Sequence, residues 1–509
     1  MTDIKCDESL CAVCSHNCSH SHSAETVESK SVSVEEMALR REARAARQAQ
    51  LLREFSLPIV SFTMNIAGPV KFTDAIETAF NVGVSELKRA LARFNVKYAH
   101  TEYLIASTGC EALFAVSGIN EKLLKAVAVK VEEEYEFSRL YDIDIIGKSG
   151  EKLARPKPRK CLVCDKVAFE CARNRTHSVE ELQKRTRELT RQAISFAAMS
   201  AAFAALRAEV ETTPKAGLVD MNNNGANSDM TPELFYMSAE ALRPYYYLMA
   251  YNAADDAPES GHGEGCSVDS SVNCADCMNH ESCTLDHGAS LMAKLTILGV
   301  EAEAKMKEAT NGVNTHKGAV FCLGLLVSAY AKLVSHGMEH GPLDIIAEAK
   351  RMALTRPDPG RGTHGAYVRE KFLGEKTINL GADAEARAGF PAAVNAYRRI
   401  LGFKLMGFDE NPCYALALIG IMAELYDTNA YLRAGAEGAD YVRQRASEIN
   451  AMPLSKRLNE VISFDKELIE RNINCGGAAD MLAAAIFLDK LNEYNDRLKN
   501  SPEEEHHHH

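Results

Sequence analysis

Leu140-Tyr141-Asp142-Ile143-Asp144-Ile145-Ile146 alternates apolar and acidic side chains with a period of two, the pattern of a half-buried strand. Asp142 and Asp144 leave the same face of that strand, and Arg139 stands immediately ahead of it. Working back, Ser33-Val34-Glu35-Glu36 is a capping box that predicts a helix to about Glu54, with Pro58 beyond its end. Ile59–Ile66, Tyr103–Ser107 and Ala112–Val116 read as strands, and Leu123–Glu133 as a mixed segment. Strands interleaved with helices over residues 33–150 predict an α/β or α+β domain.

Working forward, the character changes at Ser178-Val179-Glu180-Glu181, which caps a helix running towards Leu206. Nearly everything from there to Leu491 has helical period, with islands of Asn, Gly, Pro and Asp between the helices. The predicted class is α+β multidomain: an N-terminal α/β nucleotidyltransferase-like domain followed by an all-α domain. The expected divisions are a Cys/His-rich extension over 1–32, the first domain over 33–187 and the helical domain over 188–500. A Cys/His-rich insertion is expected at about 256–288.

The chain has 509 residues, no Trp and a formal net charge of −12. That length suggests about two to four domains. The acidic balance argues against general nucleic-acid binding, which needs a basic face, and leaves room for a local basic pocket around a polyphosphate. The N-terminus is polar and shows no secretory pattern. Ile194–Leu206 and Ala319–Ala331 fall short of the roughly 20 apolar residues that span a bilayer and read as buried helices. A cytoplasmic protein with no membrane partner is expected.

Two carboxylates held together on a strand suit magnesium, so Asp142 and Asp144 suggest metal-assisted phosphoryl or nucleotidyl transfer, with Arg139 as a phosphate contact. Arg40, Arg41, Arg44, Arg47 and Arg53 ride on the first helix; they either pair with Glu35, Glu36 and Glu42 or reach a triphosphate. Arg41-Glu42-Ala43-Arg44, the run from Ser61 to Lys71, Thr108-Gly109 with Glu111-Ala112, and the run from Arg139 to Ile145 follow in a characteristic order. In that order and spacing they resemble the apo-citrate lyase phosphoribosyl-dephospho-CoA transferase family, over about Val34–Leu182. Cys110 stands where that family has proline, and Ser138 where it has glycine. The resemblance implies transfer of a phosphoribosyl-dephospho-CoA unit to a serine of the citrate lyase acyl carrier protein, with release of pyrophosphate. It also implies magnesium on Asp142 and Asp144, and nucleotide contacts from Arg41, Arg44 and Lys71.

The helical half carries Glu209–Asp220 continuing through Asn222-Asn223-Asn224 to Asp229, then Gly312-Val313-Asn314-Thr315-His316-Lys317-Gly318. Gly381 with Glu385 and Gly389, Asp427-Thr428-Asn429 with Arg433 and Gly435, and Gly476-Gly477 with Asp480 follow. Together they resemble triphosphoribosyl-dephospho-CoA synthase over about Ala197–Leu488. Ala216, Asn227, Asp383, Leu432 and Cys475 depart from that family's pattern. The resemblance implies that ATP and dephospho-CoA are joined, adenine leaving the anomeric carbon and the triphosphate being kept. Such a glycosyl transfer passes through an oxocarbenium-like state and needs a base, an acid and cations.

Thr315–Gly318 and Gly476-Gly477 each read as a helix start whose backbone amides meet phosphate. The candidate catalytic groups are His316, Lys317, Asp220 and Asp427. Lys215, Asn223, Asn224, Asn314, Thr315, Asn429, Arg433, Gly476 and Gly477 are candidate nucleotide contacts. Glu424 and Asp427, three apart, are expected on one helix face, and with Asp480 they are candidate magnesium ligands.

Eleven of the fifteen cysteines fall in or beside Cys-x-x-Cys-type groups, which in a cytosolic chain reads as metal binding rather than disulfides. Cys161-x2-Cys164-x6-Cys171-x5-His177 offers four ligands for tetrahedral zinc, or else a cluster of reduced thiols. Cys6, Cys11, Cys14 and Cys18 lie outside both resemblances, as do Cys266, Cys274, Cys277 and Cys283; each set suits zinc or an iron–sulfur cluster. The function expected is a bifunctional enzyme that makes and attaches the citrate lyase prosthetic group. The alternatives are the equivalent enzyme for malonate decarboxylase, or a metal-responsive scaffold whose catalysis is lost, for which Asn227 and Asp383 are the motive.

Overall fold

The capping box at Ser33 closes reciprocally. Ser33 Oγ accepts the Glu36 N–H at 3.1 Å and Glu36 Oε2 accepts the Ser33 N–H at 2.7 Å, opening α1 (Val34–Phe55). There follow β1 (Ile59–Met64), α2 (Asp74–Ala92), β2 (Lys97–Ala106), β3 (Gly109–Ser117), α3 (Glu121–Glu133) and β4 (Tyr141–Ile146). The computed structural model describes residues 27, 29–255, 284–356, 364–373 and 380–496. Both outer cysteine sets, Cys6–Cys18 and Cys266–Cys283, lie outside these described residues.

The sheet has the order β2-β3-β1-β4, and every neighbouring pair is antiparallel. The first domain is therefore α+β, a correction to the α/β expectation: among the described residues no strand pair needs a parallel crossover. The mixed segment at Leu123 resolves into a helix because Leu124, Val127, Ala128 and Val131 are buried at helical spacing.

The two faces of the sheet differ. Val60, Phe62, Ala112, Phe114, Tyr141, Ile143 and Ile145 enter the main core. The other face lies under α1, where Leu51 packs with Ile59, Leu113 and Ala115. That second face also carries a polar group: Thr63 is in register with both Glu111 and Asp142, and Ser61 with Asp144.

The helical half begins after the short α4 (Ala168–Arg173) with α5 (Val179–Glu211), opened by a second capping box at Ser178. Then come α6 (Pro232–Ala253), α7 (Thr284–Ala309), α8 (Lys317–Ser335), α9 (Pro342–Thr355), α10 (His364–Val368), α11 (Gly381–Ala388) and α12 (Pro391–Leu405). The last four are α13 (Glu410–Glu424), α14 (Thr428–Ala451), α15 (Leu454–Glu470) and α16 (Gly476–Asp496).

α5 touches both halves. It packs on α2 and on the 3₁₀ turn Phe137–Leu140, and further along on α6, α8 and α16. The division expected at 187/188 falls inside this helix. By length and composition α5 and α8 are apolar enough to cross a membrane, but 67% and 83% of their apolar windows are buried inside the protein. They are core helices, as the Ala-rich stretches predicted.

Candidate active sites

The starts of α8 and α16 converge on an open cleft of about 220 Å³, also walled by α5, the loop after it and the start of α14. Lys215, Asn227, Asn314, Thr315, His316, Lys317, Asn429, Arg433, Gly476 and Asp480 all line it. Two helix N-termini aimed into one cleft add their positive dipole ends, although Lys317 N–H is taken by Asn314 Oδ1 and Ala478 N–H by Asp427.

His316 is the N-cap residue of α8 and is 4% exposed. Its Nδ1 lies 2.6 Å from Ser238 Oγ, and its ring meets Phe235 edge-on. Among the described residues its Nε2 has no partner, and neither does Thr315 Oγ1. Burial, with a smaller push from Lys215, lowers the His316 pKa to about 3, so the imidazole is neutral at physiological pH.

Asp480 shows the opposite shift. Burial first, then the neighbouring carboxylates of Asp427 and Glu209, raise its pKa well above the usual range. Glu209 lines the cleft too, and is held by Lys215, whose Nζ donates to Glu209 Oε1 at 2.6 Å and to its carbonyl at 2.9 Å. Sequence reasoning quoted the segment containing Glu209 without assigning it a role. Lys317 is exposed, with Nζ 3.5 Å from Glu303. Arg433 donates to the Ala226 carbonyl at 2.6 Å and to Asn227 Oδ1 at 3.0 Å.

Other candidates hold the walls together. Asp220 accepts the N–H groups of Lys215, Asn222 and Asn223, Asn223 bonds Asp465, and the Asn224 carbonyl accepts from Asn227. None of Asp220, Asn223 and Asn224 lines the cleft. Asp427 is the N-cap of α14 and accepts from Asn429, Ala430 and Ala478 N–H, so it pins the starts of α14 and α16 together. A side chain at Gly477 would come within 2.9 Å of Asp427 Oδ2, and one at Gly476 within 2.6 Å of Asn429 Nδ2.

The expectation that Glu424 and Asp427 share a helix face is corrected. Glu424 ends α13 and bonds Arg399 at 2.5 Å and Asn395 at 3.0 Å, whereas Asp427 caps the next helix. Their spacing of three straddles a helix break. Of the departures, Asn227 accepts from both Arg433 and Asn474 and so closes the wall it belongs to. Asp383 pairs with Arg387 and Arg356 and does not line the cleft.

The second site lies on the polar face of the sheet. Asp142 and Asp144 line a pocket with Lys125, Lys152, Arg155 and Arg159. Arg159 reaches Asp142 at 3.4 Å and Lys152 reaches Asp144 at 2.5 Å. Buried Glu132 anchors this group, accepting the Ile143 N–H at 3.0 Å and Arg159 at 2.9 Å, with Arg155 at 3.5 Å. The four cations were not singled out from sequence, although Arg155-Pro-Lys-Pro-Arg159 is a visible basic run after the acidic strand.

Arg139 turns away from this pocket, to the Cys161 carbonyl at 3.2 Å and to Asp165 at 3.3 Å. Arg40 and Arg44 grip Glu111, and Arg47 pairs with Glu102, so these arginines bind the sheet rather than the glutamates of their own helix. Lys71 donates to the Ile66 carbonyl at 2.6 Å; burial and then the charge of Arg41 lower its pKa.

The chain thus carries two polar clefts, one built on helix starts and one on paired strand carboxylates, and its family matches make it a transferase. The family model for apo-citrate lyase phosphoribosyl-dephospho-CoA transferase matches residues 32–193, and that for ATP:dephospho-CoA triphosphoribosyl transferase matches residues 195–498. The chain belongs to the second family, with a domain of the first placed ahead of it.

Protein CitXG of Haemophilus influenzae is 27% identical over 482 residues, covering 91% of this chain and 97% of that protein. Protein CitXG of Leuconostoc mesenteroides subsp. cremoris is 28% identical, covering 89% and 95%. The 2-(5''-triphosphoribosyl)-3'-dephosphocoenzyme-A synthase of Haemophilus ducreyi is 30% identical, covering 65% of this chain and 99% of that one.

Proposed function

We propose that this chain makes and attaches the prosthetic group of citrate lyase. Its helical half joins ATP to dephospho-CoA with release of adenine. Its sheet half then transfers phosphoribosyl-dephospho-CoA to a serine of the citrate lyase acyl carrier protein with release of pyrophosphate.

The observation that carries the first step is one cleft lined by both buried His316, whose Nε2 has no partner among the described residues, and buried Asp480, where the starts of α8 and α16 meet. Burial keeps the imidazole neutral, with a lone pair to accept a proton, and favours the protonated form of Asp480, which can donate one. With Nδ1–H directed to Ser238, the His316 Nε2 lone pair takes the proton of the incoming dephospho-CoA hydroxyl. Protonated Asp480 gives its proton to the departing adenine. A C–O bond forms at the anomeric carbon as the C–N bond breaks, and the triphosphate stays on the ribose. Lys317, Arg433 and the positive ends of α8 and α16 hold that triphosphate.

In the sheet half, Asp142 and Asp144 point to one face and already draw two cations, a donor set that fits magnesium. Bound there, magnesium would neutralise charge developing on the phosphates. Arg159, Lys152 and Arg155 orient the same oxygens, and Arg41 with Lys71 offers a second anion contact on α1 and the loop after β1.

The test is direct. The protein with ATP, dephospho-CoA and magnesium should release adenine, and with the apo carrier should raise the carrier mass by one phosphoribosyl-dephospho-CoA. No adenine would end the synthase reading; modification of a malonate decarboxylase carrier instead would move the partner.

A further inference from the structure

We propose that Cys161, Cys164, Cys171 and His177 bind one zinc ion, and that this ion fixes the arm that delivers Arg159 to Asp142 and Glu132. The four ligand atoms all lie within 4.8 Å of one another. Cys164 Sγ is 3.6 Å from Cys171 Sγ and 3.3 Å from His177 Nε2. Metal–sulfur bonds of about 2.3 Å in a tetrahedron put sulfurs about 3.8 Å apart, so the spacing matches a single ion. It is far too long for a disulfide, which needs about 2.05 Å. An iron–sulfur cluster spreads its ligands over several metal atoms, and so needs a wider cage.

The backbone is arranged for the same purpose. Cys161 N–H bonds the Lys166 carbonyl and Ala168 N–H bonds the Arg159 carbonyl, both at 2.8 Å, folding a tight turn that places Cys161 beside Cys164. α4 presents Cys171, and the bond from Thr176 N–H to the Cys171 carbonyl at 3.0 Å returns the chain to His177, next to the cap of α5.

Apart from the ion pairs of Lys152, Arg155 and Arg159, the segment buries little of its own. From Lys148 to Ser178 the only buried residues are Cys161, Leu162 and Cys171, and Phe169 is 70% exposed. A stretch that buries one aliphatic side chain lacks a hydrophobic core, which a structural ion replaces. Binding takes up three thiolates and a neutral imidazole, and the thiol protons are released to solvent.

What the ion would hold is functional. Arg159 lies two residues before Cys161 and bonds Asp142 and Glu132, while Arg139 bonds the Cys161 carbonyl. Arg159 is in this sense a positioned residue of the transferase site, and that part of the inference rests on the transferase reading above.

The experiment uses the full chain with Cys6, Cys11, Cys14, Cys18, Cys266, Cys274, Cys277 and Cys283 all changed to serine, so that the other sets cannot contribute. Elemental analysis should give one zinc per chain, and cobalt in its place should show intense near-ultraviolet thiolate charge transfer. Adding Cys161→Ser and Cys164→Ser should remove both. Absence of zinc before those changes, zinc retained after them, or iron with labile sulfide overturns the proposal. If the last variant does not fold, the cobalt spectrum of its parent decides, since a spectrum lacking thiolate bands overturns the site.

Stripping zinc with a zinc-selective chelator should cut carrier modification at least tenfold, reversibly, and leave adenine release unchanged; transfer that ignores zinc refutes the positioning role. Arg159→Ala should lose transfer with zinc retained, and Arg159→Lys should recover part of it; equal loss in both refutes delivery of a cation. Zinc present in a protein that modifies no carrier would sink the transferase reading and leave the metal site standing.

Discussion

Gly318 lies directly against Asp480: a methyl group on the Gly318 Cα would sit 1.9 Å from Asp480 Oδ2. The first turn of α8 thus packs bare backbone on the carboxylate that α16 brings to the cleft. Gly318→Ala should displace Asp480 and reduce adenine release about 100-fold, a loss of the size seen when one transition-state group is removed. Overpacking should also cost about 1–3 kcal/mol of stability. Transfer of preformed triphosphoribosyl-dephospho-CoA to the carrier should persist. Full adenine release from this variant would show that Asp480 can work elsewhere.

His316 provides a test by pH. Its pKa is about 3 in the folded chain, against about 6.5 in an unfolded one. Between these values only the unfolded chain takes up the proton, so this group's contribution to stability is complete above about pH 6.5 and is lost on acidification towards pH 3. His316→Gln does not titrate, and its stability should vary less with pH in that window, by up to a few kcal/mol. Denaturant unfolding at several pH values measures the slopes; equal slopes would mean that the buried imidazole is not held neutral. Adenine release should fall about 100-fold with the base gone.

Lys317→Ala should lower adenine release and leave carrier modification by supplied intermediate intact. Lys317 is exposed at the cleft and held only loosely by Glu303 at 3.5 Å, so its charge is available to a triphosphate. An ordinary surface lysine would cost little on removal, and unchanged adenine kinetics would mark it as one.

Asp142→Asn or Asp144→Asn should reduce carrier modification by about 1,000-fold, several kcal/mol of transition-state stabilisation. Adenine release should be untouched. The carrier mass shift and adenine liberation, measured on one preparation, separate the two halves.

Lys215 and Glu209 form an ion pair only 1% and 4% exposed. Lys215→Met should strand the Glu209 carboxylate and destabilise the fold by about 3–5 kcal/mol. The double change with Glu209→Leu should restore much of that stability. A thermal midpoint as low in the double variant as in the single one would mean that the lysine matters for something other than its pair.

Local chemistry made the helix and strand starts readable. The boxes at Ser33 and Ser178, the alternation through Asp142 and Asp144, and the helix openings at Lys317 and Gly476 are each written within a few adjacent residues. Where the partner is distant in sequence, nothing local announces it. The antiparallel order of the sheet depends on pairings such as Thr63 with Glu111 and Asp142. Asp220, Asp427 and Glu424 looked alike as acidic residues near glycine and asparagine, yet two became backbone anchors and one a surface pair. Ser238 behind His316 and Glu132 behind Arg159 came from elements far from the motifs they support.

Helix α5 meets Glu136 of the sheet half through Arg185 and Gln192, and delivers Glu209 to the cleft of the helical half. The two ends of that span are about 36 Å apart on one unbroken rod. The two chemistries are keyed to a common shaft, without a swivel between them at that point. A single residue inserted into it would turn one half against the other by about 100° and advance it about 1.5 Å. Changes of length that spare this alignment belong in the loops and not in the middle of the fusion.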